Sequence, residues 1–160
     1  MVKILGLDPS LSSTGWGIIE AKDNRLKYIA DGFIKTDPKT PIEERLALLY
    51  EKLCTVIETY RPDEASIEEI FLNENPSSTI KLSEARGVVI SAVGTHGLPL
   101  YEYEARKVKK ALVGTGAALK NQVETMVKVL LVGCKPKNND SSDALAIAIT
   151  HAHHRTTRQI

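Results

Sequence analysis

A short apolar run near the start of the chain ends directly in a carboxylate. The segment from Ile4 to Leu7 has no polar side chain, which is typical of a β-strand buried on both faces. Asp8 follows, and Pro9 ends the strand because proline has no N–H to donate to a neighbouring strand. A charge at the tip of a buried strand is costly unless a partner compensates it. The rest of the chain is therefore expected to supply that partner.

The later segments predict an α/β domain with a five-stranded mixed sheet flanked by helices. Residues 14–20 and 26–36 are expected to be strands that form an antiparallel meander with the first one. Helices and strands then alternate, which indicates parallel additions to the same sheet. The other predicted elements are a helix with Thr40 as N-cap that runs to Tyr60, a strand at 64–71, a loop at 72–78, a helix at 79–95, a strand at 98–104, a basic segment at 106–110, a helix at 117–131 and a last helix from Asp140.

Length and composition indicate one globular domain spanning residues 1–160. The chain is 42% hydrophobic and 26% charged, and 160 residues suffice for a proper core. No apolar run approaches the ~18 residues that cross a membrane, and the N-terminal segment does not look like a secretory signal. Cys54 and Cys134 lack metal-type spacing. We therefore expect two reduced thiols in a cytoplasmic protein without a membrane partner.

Charge is distributed unevenly along the chain. Residues 1–104 hold 11 Lys and Arg against 17 Asp and Glu, whereas residues 105–160 hold 10 against 3, so the net charges are −6 and +7. This asymmetry suggests a polyanionic partner for the C-terminal third. The alternative is that the basic residues only cover solvated helix faces, and the charge pattern alone leaves both interpretations open.

Acidic residues recur at the ends of predicted elements. Glu68 and Glu69 lie at the far end of the strand at 64–71, and Asp140 and Asp143 open the last helix. If that strand is a parallel neighbour of the first, its acids and Asp8 emerge at the same carboxyl edge, where sites form in such sheets. Positions i and i+3 share a helix face, so both aspartates can reach the same edge.

Carboxylates gathered at one edge repel one another unless a cation lies among them. Oxygen ligands without Cys or His favour a hard divalent ion such as Mg²⁺ or Mn²⁺. Two such ions about 3.5–4 Å apart can activate water and stabilise the leaving oxygen in phosphodiester cleavage. Together with the basic C-terminal third, the carboxylates predict a metal-dependent nuclease.

Each acidic site also has a structural interpretation. Asp8 could form a turn, Glu68 and Glu69 could solvate a strand end, and Asp140 could cap the last helix with Asp143 at its third position. The alternation of side chains along a strand does not decide which of the two glutamates faces the site.

His151 shares the helix face of Asp140 and Asp143, but it lies too far along the helix to be a ligand with them. With Arg155 nearby, it is expected to complement the helix C-terminus.

A set of motifs runs in order across nearly the whole chain. They are Ile4-Leu-Gly-Leu-Asp8-Pro with Thr14-Gly-Trp-Gly, Ile67-Glu68 with Phe71, Ala85-Arg-Gly87, Val108-Lys109, Gln122-Val with Met126-Val, and Asp140-Ser-Ser-Asp143-Ala-Leu-Ala-Ile-Ala. Together they resemble the RuvC family of Holliday junction resolvases. Two departures stand out. Ser10 occupies a position where the family usually has Gly, and Gln122-Val-Glu124 keeps only part of the family's pattern.

The resemblance implies an RNase H-like fold and a homodimer that nicks two strands of a four-way DNA junction symmetrically, with two Mg²⁺ ions per site. It also implies branch-migration proteins of the Ruv system as partners. The residues that match the family's acidic tetrad are Asp8, Glu68, Asp140 and Asp143, which selects Glu68 over Glu69. Phe71 matches an aromatic that the family places against junction bases, and Lys109 and Lys120 match basic positions near the scissile phosphates.

Other classes of protein share parts of this pattern. An actin-like ATPase also has a strand, an Asp, a short turn and Thr-Gly, as in 8–15, but it needs two such domains and 160 residues hold one. A non-catalytic DNA-binding module would use the acids only as caps and surface charge. An RNase H-like enzyme could also act on RNA–DNA hybrids or as a transposase core.

Overall fold

The computed structural model describes residues 1–70 and 75–157, which form a five-stranded sheet with helices on both faces. The strands are β1 Val2–Asp8, β2 Ser13–Lys22, β3 Arg25–Lys35, β4 Glu64–Glu68 and β5 Leu100–Tyr103. The helices are α1 Ile42–Tyr60, α2 Pro76–Thr95, α3 Ala105–Val113, α4 Lys120–Leu130 and α5 Asn139–Thr157.

The sheet is mixed, as the sequence predicts, with the strand order β3-β2-β1-β4-β5. The pairs β1–β2 and β2–β3 are antiparallel, whereas β4 runs parallel to both β1 and β5. Leu7 pairs with Ile67, so β1 and β4 end side by side. Asp8 and Glu68 therefore lie at the same edge of the sheet.

The sheet separates two hydrophobic cores. Helices α1 and α2 cover one face, where Leu5 and Leu7 are fully buried, and α3, α4 and α5 cover the other, where Ile4 is fully buried. Burying one such side chain contributes about 1.5–3 kcal/mol. Strand β1 is thus buried on both faces, which explains its unbroken apolar run.

Helix α5 lies unusually close to the sheet because glycines face it. A Cβ atom at Gly6 would come within 2.0 Å of the Ala144 carbonyl oxygen, and one at Gly15 within 2.0 Å of the Asp140 carbonyl oxygen. Real Cβ atoms never approach that closely, so a side chain at either position would force the helix away. The two glycines thus allow α5 to pack close to the sheet.

The predicted start of α1 is wrong by one residue. Thr40 is not the N-cap, because the next residue, Pro41, still has extended backbone and the helix begins only at Ile42. Pro41 takes the cap position with extended backbone, and its carbonyl accepts from the N–H of Glu44 and of Arg45. Proline is favoured at a helix start because it has no N–H that would need a partner.

Three other helices differ from the sequence prediction, and one of them is α4, which begins at Lys120 instead of 117. Helix α2 begins at Pro76 instead of 79, because the Asn75 side chain accepts from the Ser77 N–H at 3.1 Å and so caps an earlier turn. The basic segment at 106–110 belongs to α3, where Val108 and Leu112 form a buried i, i+4 pair between exposed charges. Strand β4 ends at Glu68, so the predicted strand at 64–71 is too long, because Glu69 and Ile70 lie outside it.

The outward face of α2 is open to solvent. Val89 and Ala92 are buried against the domain, whereas Ile90 is 37% exposed, and a Cβ at Gly87 or Gly94 would meet no atom within 4 Å. One side of α2 therefore packs against the domain, and the other faces solvent. Within the described residues, no helix is both long and apolar enough to cross a membrane, and Cys54 and Cys134 are free thiols.

Candidate active site

Strands β1 and β4 bring Asp8 and Glu68 to one edge of the sheet. Both side chains are partly buried, whereas Glu69 is exposed and its backbone N–H donates to the Tyr103 carbonyl at 2.9 Å. Glu68 lies in the electrostatic field of Asp143. The structure therefore places Glu68, and not Glu69, with the other carboxylates.

The start of α5 brings Asp140 and Asp143 to the same edge. The Asn138 side-chain oxygen accepts from the Ser141 N–H at 2.8 Å, and the Asn138 N–H donates to Ser141 Oγ at 3.1 Å. Asn138 thus provides the side-chain cap that was an alternative role for Asp140. That structural interpretation of Asp140 is wrong, because a neighbouring residue already caps the helix.

Asp8 is the most strongly perturbed carboxyl of the cluster. Burial is the largest cause, followed by the negative charges of Asp143, Glu68 and Asp140, and together they raise the pKa of Asp8 to about 8 despite the opposing effect of Lys120. At neutral pH the side chain holds its proton unless a cation replaces it. Asp8 is the central member of the four because all three others act on it.

Glu68 and Asp143 are perturbed in the same direction. Burial and then the charge of Asp143 raise the pKa of Glu68, while Lys109 and Arg86 oppose the shift. Burial also raises the pKa of Asp143, against the attraction of Lys120. Each of these carboxylates therefore lies where an added positive charge would be favourable.

The two predicted DNA-binding lysines lie beside these carboxylates. Lys120 Nζ is 3.6 Å from Asp143 Oδ2. Both lysines line one cavity of about 310 Å³ together with Glu68 and Asp143, and Val108 and Val123 contribute apolar walls. The structure thus places basic side chains from α3 and α4 next to acidic ones from β4 and α5. Phe71 lies outside the described residues.

The four carboxylates are close enough for their charges to interact, but they do not form a compact metal-binding group. Among residues 1–70 and 75–157, no three or more His, Cys, Asp and Glu side chains are grouped tightly enough to hold a metal ion. Bare carboxylates repel one another, and this repulsion opposes a tighter cluster. The donor set nevertheless fits a hard divalent cation, because the four side chains offer only oxygen atoms and Asp8 is desolvated.

Arg86 on α2 contacts the site and was not singled out as a functional residue by sequence. The guanidinium donates one hydrogen bond to the Glu68 carbonyl and another from Nη2 to Glu102 Oε1 at 2.6 Å. Arg86 is only 9% exposed. It thereby fixes the end of β4, where Glu68 leaves the sheet. The sequence signal that could have identified Arg86 is its position as the charged residue in the largely apolar stretch that follows residue 84.

The turn after Asp8 accommodates Ser10 in place of glycine. Thr14 Oγ1 donates to the Ser10 carbonyl at 2.6 Å and lies 3.2 Å from the Ser10 N–H. Within the described residues, positive φ values outside glycine occur at Asp23 and Arg61. Ser10 therefore needs no left-handed backbone, and the departure from the family's residue causes no strain here.

His151 belongs to a separate buried network between α5 and the strands β4 and β5. Its Nε2 lies 2.6 Å from Glu64 Oε2, and its Nδ1 lies 2.6 Å from the Tyr103 hydroxyl. Arg155 Nε also donates to Glu64 Oε2, at 2.7 Å. The expectation that His151 complements the helix C-terminus is wrong, because α5 continues to Thr157 and the imidazole instead joins α5 to β4 and β5.

The fold and the site together define a class of protein. Three antiparallel strands followed by two parallel ones, with acids at the ends of β1 and β4 and at the start of the last helix, constitute the RNase H-like nuclease architecture. The yeast mitochondrial Holliday junction resolvase has the same fold, with a TM-score of 0.65 at 12% identity over 97% of this chain and 83% of that one.

Comparison with known proteins identifies the family. The sequence model of the family described as crossover junction endodeoxyribonuclease RuvC matches residues 4–151. The crossover junction endodeoxyribonuclease RuvC of Paramagnetospirillum magneticum is 54% identical over 99% of this chain and 95% of its own length. Thermus thermophilus RuvC, solved in complex with a Holliday junction substrate, superposes with a TM-score of 0.93 at 32% identity, over 99% of this chain and 97% of that one. The chain belongs to the RuvC family, whose members are metal-dependent nucleases.

Proposed function

We propose that this protein resolves four-way DNA junctions by hydrolysing one phosphodiester bond in each of two symmetry-related strands. The observation that carries the proposal is the carboxylate cluster at the end of β1 and β4, centred on Asp8 and bordered by Lys109 and Lys120. The cluster combines oxygen ligands for a divalent cation with basic side chains for the phosphates of the same strand.

The acidic residues are proposed to be both the catalytic and the metal-binding groups. The side chains that would hold Mg²⁺, or Mn²⁺ in its place, are those of Asp8, Glu68, Asp140 and Asp143, with two ions per site. When bound, the ions supply the activation of water and the stabilisation of the leaving oxygen that phosphodiester hydrolysis needs. The raised pKa of Asp8 supports this assignment, because a cation removes the repulsion that causes part of the shift.

Other side chains are proposed to position the DNA. Lys109 and Lys120 bind the phosphates next to the cut, since both line the cavity that also contains Glu68 and Asp143. Phe71, which follows Glu68 by three positions in the sequence, stacks against bases at the junction centre. A stacking aromatic suits bases that a four-way junction leaves accessible.

Two symmetric cuts require two active sites, and we propose that a homodimer supplies them. The open face of α2, with Ile90 exposed between Gly87 and Gly94, lets the same helix of a second copy approach closely. Branch-migration proteins of the Ruv system are the proposed further partners. The cytoplasm is the proposed compartment, in keeping with two free thiols.

The experiment incubates the protein with a synthetic four-way junction, a matched duplex and an RNA–DNA hybrid, each with Mg²⁺ or with EDTA. The proposal predicts that only the junction is cut, only with Mg²⁺, and at symmetric positions in two strands. Equal cutting of all three substrates would identify a general nuclease. Preferential cutting of the hybrid would identify an RNase H-type enzyme, and binding without cutting would identify a non-catalytic module.

A further inference from the structure

A second groove opens at the same edge of the sheet, on the face that α1 and α2 cover. It has a volume of about 330 Å³, and its polar lining comes from Ser10, Ser12, Arg45, Ser78 and Lys81. Ser10 is only two residues beyond Asp8, a distance of at most ~7 Å along the chain. The groove therefore begins within about one nucleotide of the carboxylate cluster.

The groove lies across the sheet from the two lysines described above. Lys109 and Lys120 belong to α3 and α4, which pack on one face, whereas Arg45 belongs to α1 and Lys81 to α2, which pack on the other. The carboxylates at the edge thus have basic side chains on both sides. A DNA strand that crosses the edge at Asp8 would meet one basic groove before the cluster and another after it.

Arg45 is the buried basic residue of this groove, and a hydrogen bond holds its side chain in place. It is only 9% exposed, and its Nε donates to Thr36 Oγ1 at 2.9 Å. The Thr36 hydroxyl in turn donates to the Leu11 carbonyl, so the guanidinium is fastened to the loop that follows Asp8. In the part of the chain that the structure describes, Arg45 forms no ion pair, and it is one of the residues that line the groove.

A buried cation without a carboxylate partner is costly, and an anion in the groove would offset that cost. The other polar groups are the hydroxyls of Ser10, Ser12 and Ser78 and the exposed ammonium of Lys81, all of which can donate hydrogen bonds. The Ser10 and Ser12 hydroxyls lie 3.2 Å apart. Arginine, lysine and serine side chains are the usual partners of DNA phosphates. No acidic side chain is part of the lining among the described residues.

We propose that this groove binds the phosphodiester backbone of the junction next to the cut, on the opposite side of the carboxylates from Lys109 and Lys120. The inference rests on the proposed function and deepens it, because it assigns a second phosphate site to the same active centre. Arg45 and Lys81 hold the phosphate, and the serine hydroxyls complete the donor set.

The test measures junction binding in EDTA at several salt concentrations, for the wild-type protein and for Lys81→Gln. Loss of one phosphate contact reduces the slope of log K against log salt by about 0.9 and the affinity by roughly 3–10-fold at low salt. Lys22→Gln is the matched control, because Lys22 is exposed at the far end of β2. The control is expected to keep the wild-type slope. Arg45→Gln should lose at least as much affinity for the junction as Lys81→Gln. If Arg45→Gln does not fold, the result for Lys81→Gln alone tests the proposal.

A second arm locates the contact on the DNA. Junctions carrying one uncharged methylphosphonate at successive positions around the cut are bound by both proteins. We expect one position at which the methylphosphonate weakens binding by the wild type but does not weaken binding by Lys81→Gln. At that position the variant already lacks the contact between Lys81 and the phosphate. Equal slopes for Lys81→Gln and Lys22→Gln, or additive losses at every position, would overturn the proposal. Failure of the wild type to cut junctions would instead count against the proposed function, since the slopes are measured without cleavage.

Discussion

Asp8 is held in an environment that opposes its ionisation, which should lower the stability of the protein without metal. The unfolded carboxyl loses its proton near its ordinary value of 3.8, whereas burial and three neighbouring acids raise the folded pKa to about 8. Between these values the folded protein binds more protons than the unfolded chain, so stability falls as pH rises.

Replacing Asp8 with asparagine should therefore stabilise the metal-free protein. We expect Asp8→Asn to raise the free energy of unfolding in EDTA, and to do so by up to about 4 kcal/mol more at pH 8 than at pH 5. Denaturant unfolding at the two pH values measures the difference. Asp23→Asn, at an exposed turn, is the control and should show no such pH dependence. A destabilised Asp8→Asn protein at both pH values would show that Asp8 supports the fold.

Arg86 is expected to act as a positioning residue, because it is buried and its guanidinium binds the backbone carbonyl of Glu68. Residues that orient metal ligands typically affect metal affinity or activity by about 10–100-fold. Arg86→Met should therefore raise the Mg²⁺ concentration needed for half-maximal junction cleavage by about 10–100-fold, while junction binding in EDTA stays unchanged. Arg86→Lys, which keeps the charge, should recover part of the loss. An unchanged Mg²⁺ requirement in a folded Arg86→Met protein would refute this role.

At the scale of elements, the distance between α5 and the sheet sets the position of Asp140. Gly15 makes this distance possible, since a Cβ there would lie 2.0 Å from the Asp140 carbonyl oxygen. We expect Gly15→Ala to lower the free energy of unfolding by about 1–3 kcal/mol and to reduce cleavage further, because α5 must shift away from Asp8. Thermal unfolding and single-turnover cleavage measure the two effects.

Gly116→Ala is the matched control for this prediction. A Cβ at Gly116 would meet the Nε of the Arg106 side chain at 3.3 Å, and a flexible side chain can move aside. The control should keep both stability and cleavage within a few-fold of the wild type. Full activity of Gly15→Ala would mean that α5 need not lie so close to the sheet.

The elements that carry the site were predictable where local patterns suffice. The apolar run before Asp8 and the strand before Glu68 indicate buried parallel strands, and parallel neighbours end at one edge. The long-range contacts were not predictable. Gly15 matters only because α5 packs against it, and Arg86 only because β4 ends beside α2.

Competing local signals account for the other errors. Thr40 has the chemistry of an N-cap, yet the extended backbone continues through Pro41, so the helix begins one residue too late for Thr40 to cap it. His151 shares a helix face with the aspartates, yet the partner that decides its role, Glu64, is far away in the sequence. The basic residues around Val108 and Leu112 obscure the helical spacing of this buried pair, so the sequence did not predict helix α3. The identity of a side chain's partner comes from the tertiary fold.

In the complete fold, one edge of the sheet carries both the carboxylates proposed to cut DNA and the basic side chains proposed to bind it. The strands and α5 deliver four carboxylates from β1, β4 and the helix start, and the helices on the two faces add basic side chains on either side. This arrangement separates the work of cutting from the work of binding. A single carboxylate should therefore be removable without loss of junction binding.

The most direct measurement is single-turnover cleavage of a four-way junction in Mg²⁺ by the wild type and by Asp8→Asn, at protein concentrations where both bind the junction fully. We expect Asp8→Asn to bind with an affinity within a few-fold of the wild type and to cut at least about 1,000-fold more slowly, because a central ligand of the catalytic ions is lost. Cleavage within tenfold of the wild-type rate would contradict the catalytic role of Asp8. Loss of junction binding by a folded Asp8→Asn protein would contradict the separation of cutting from binding.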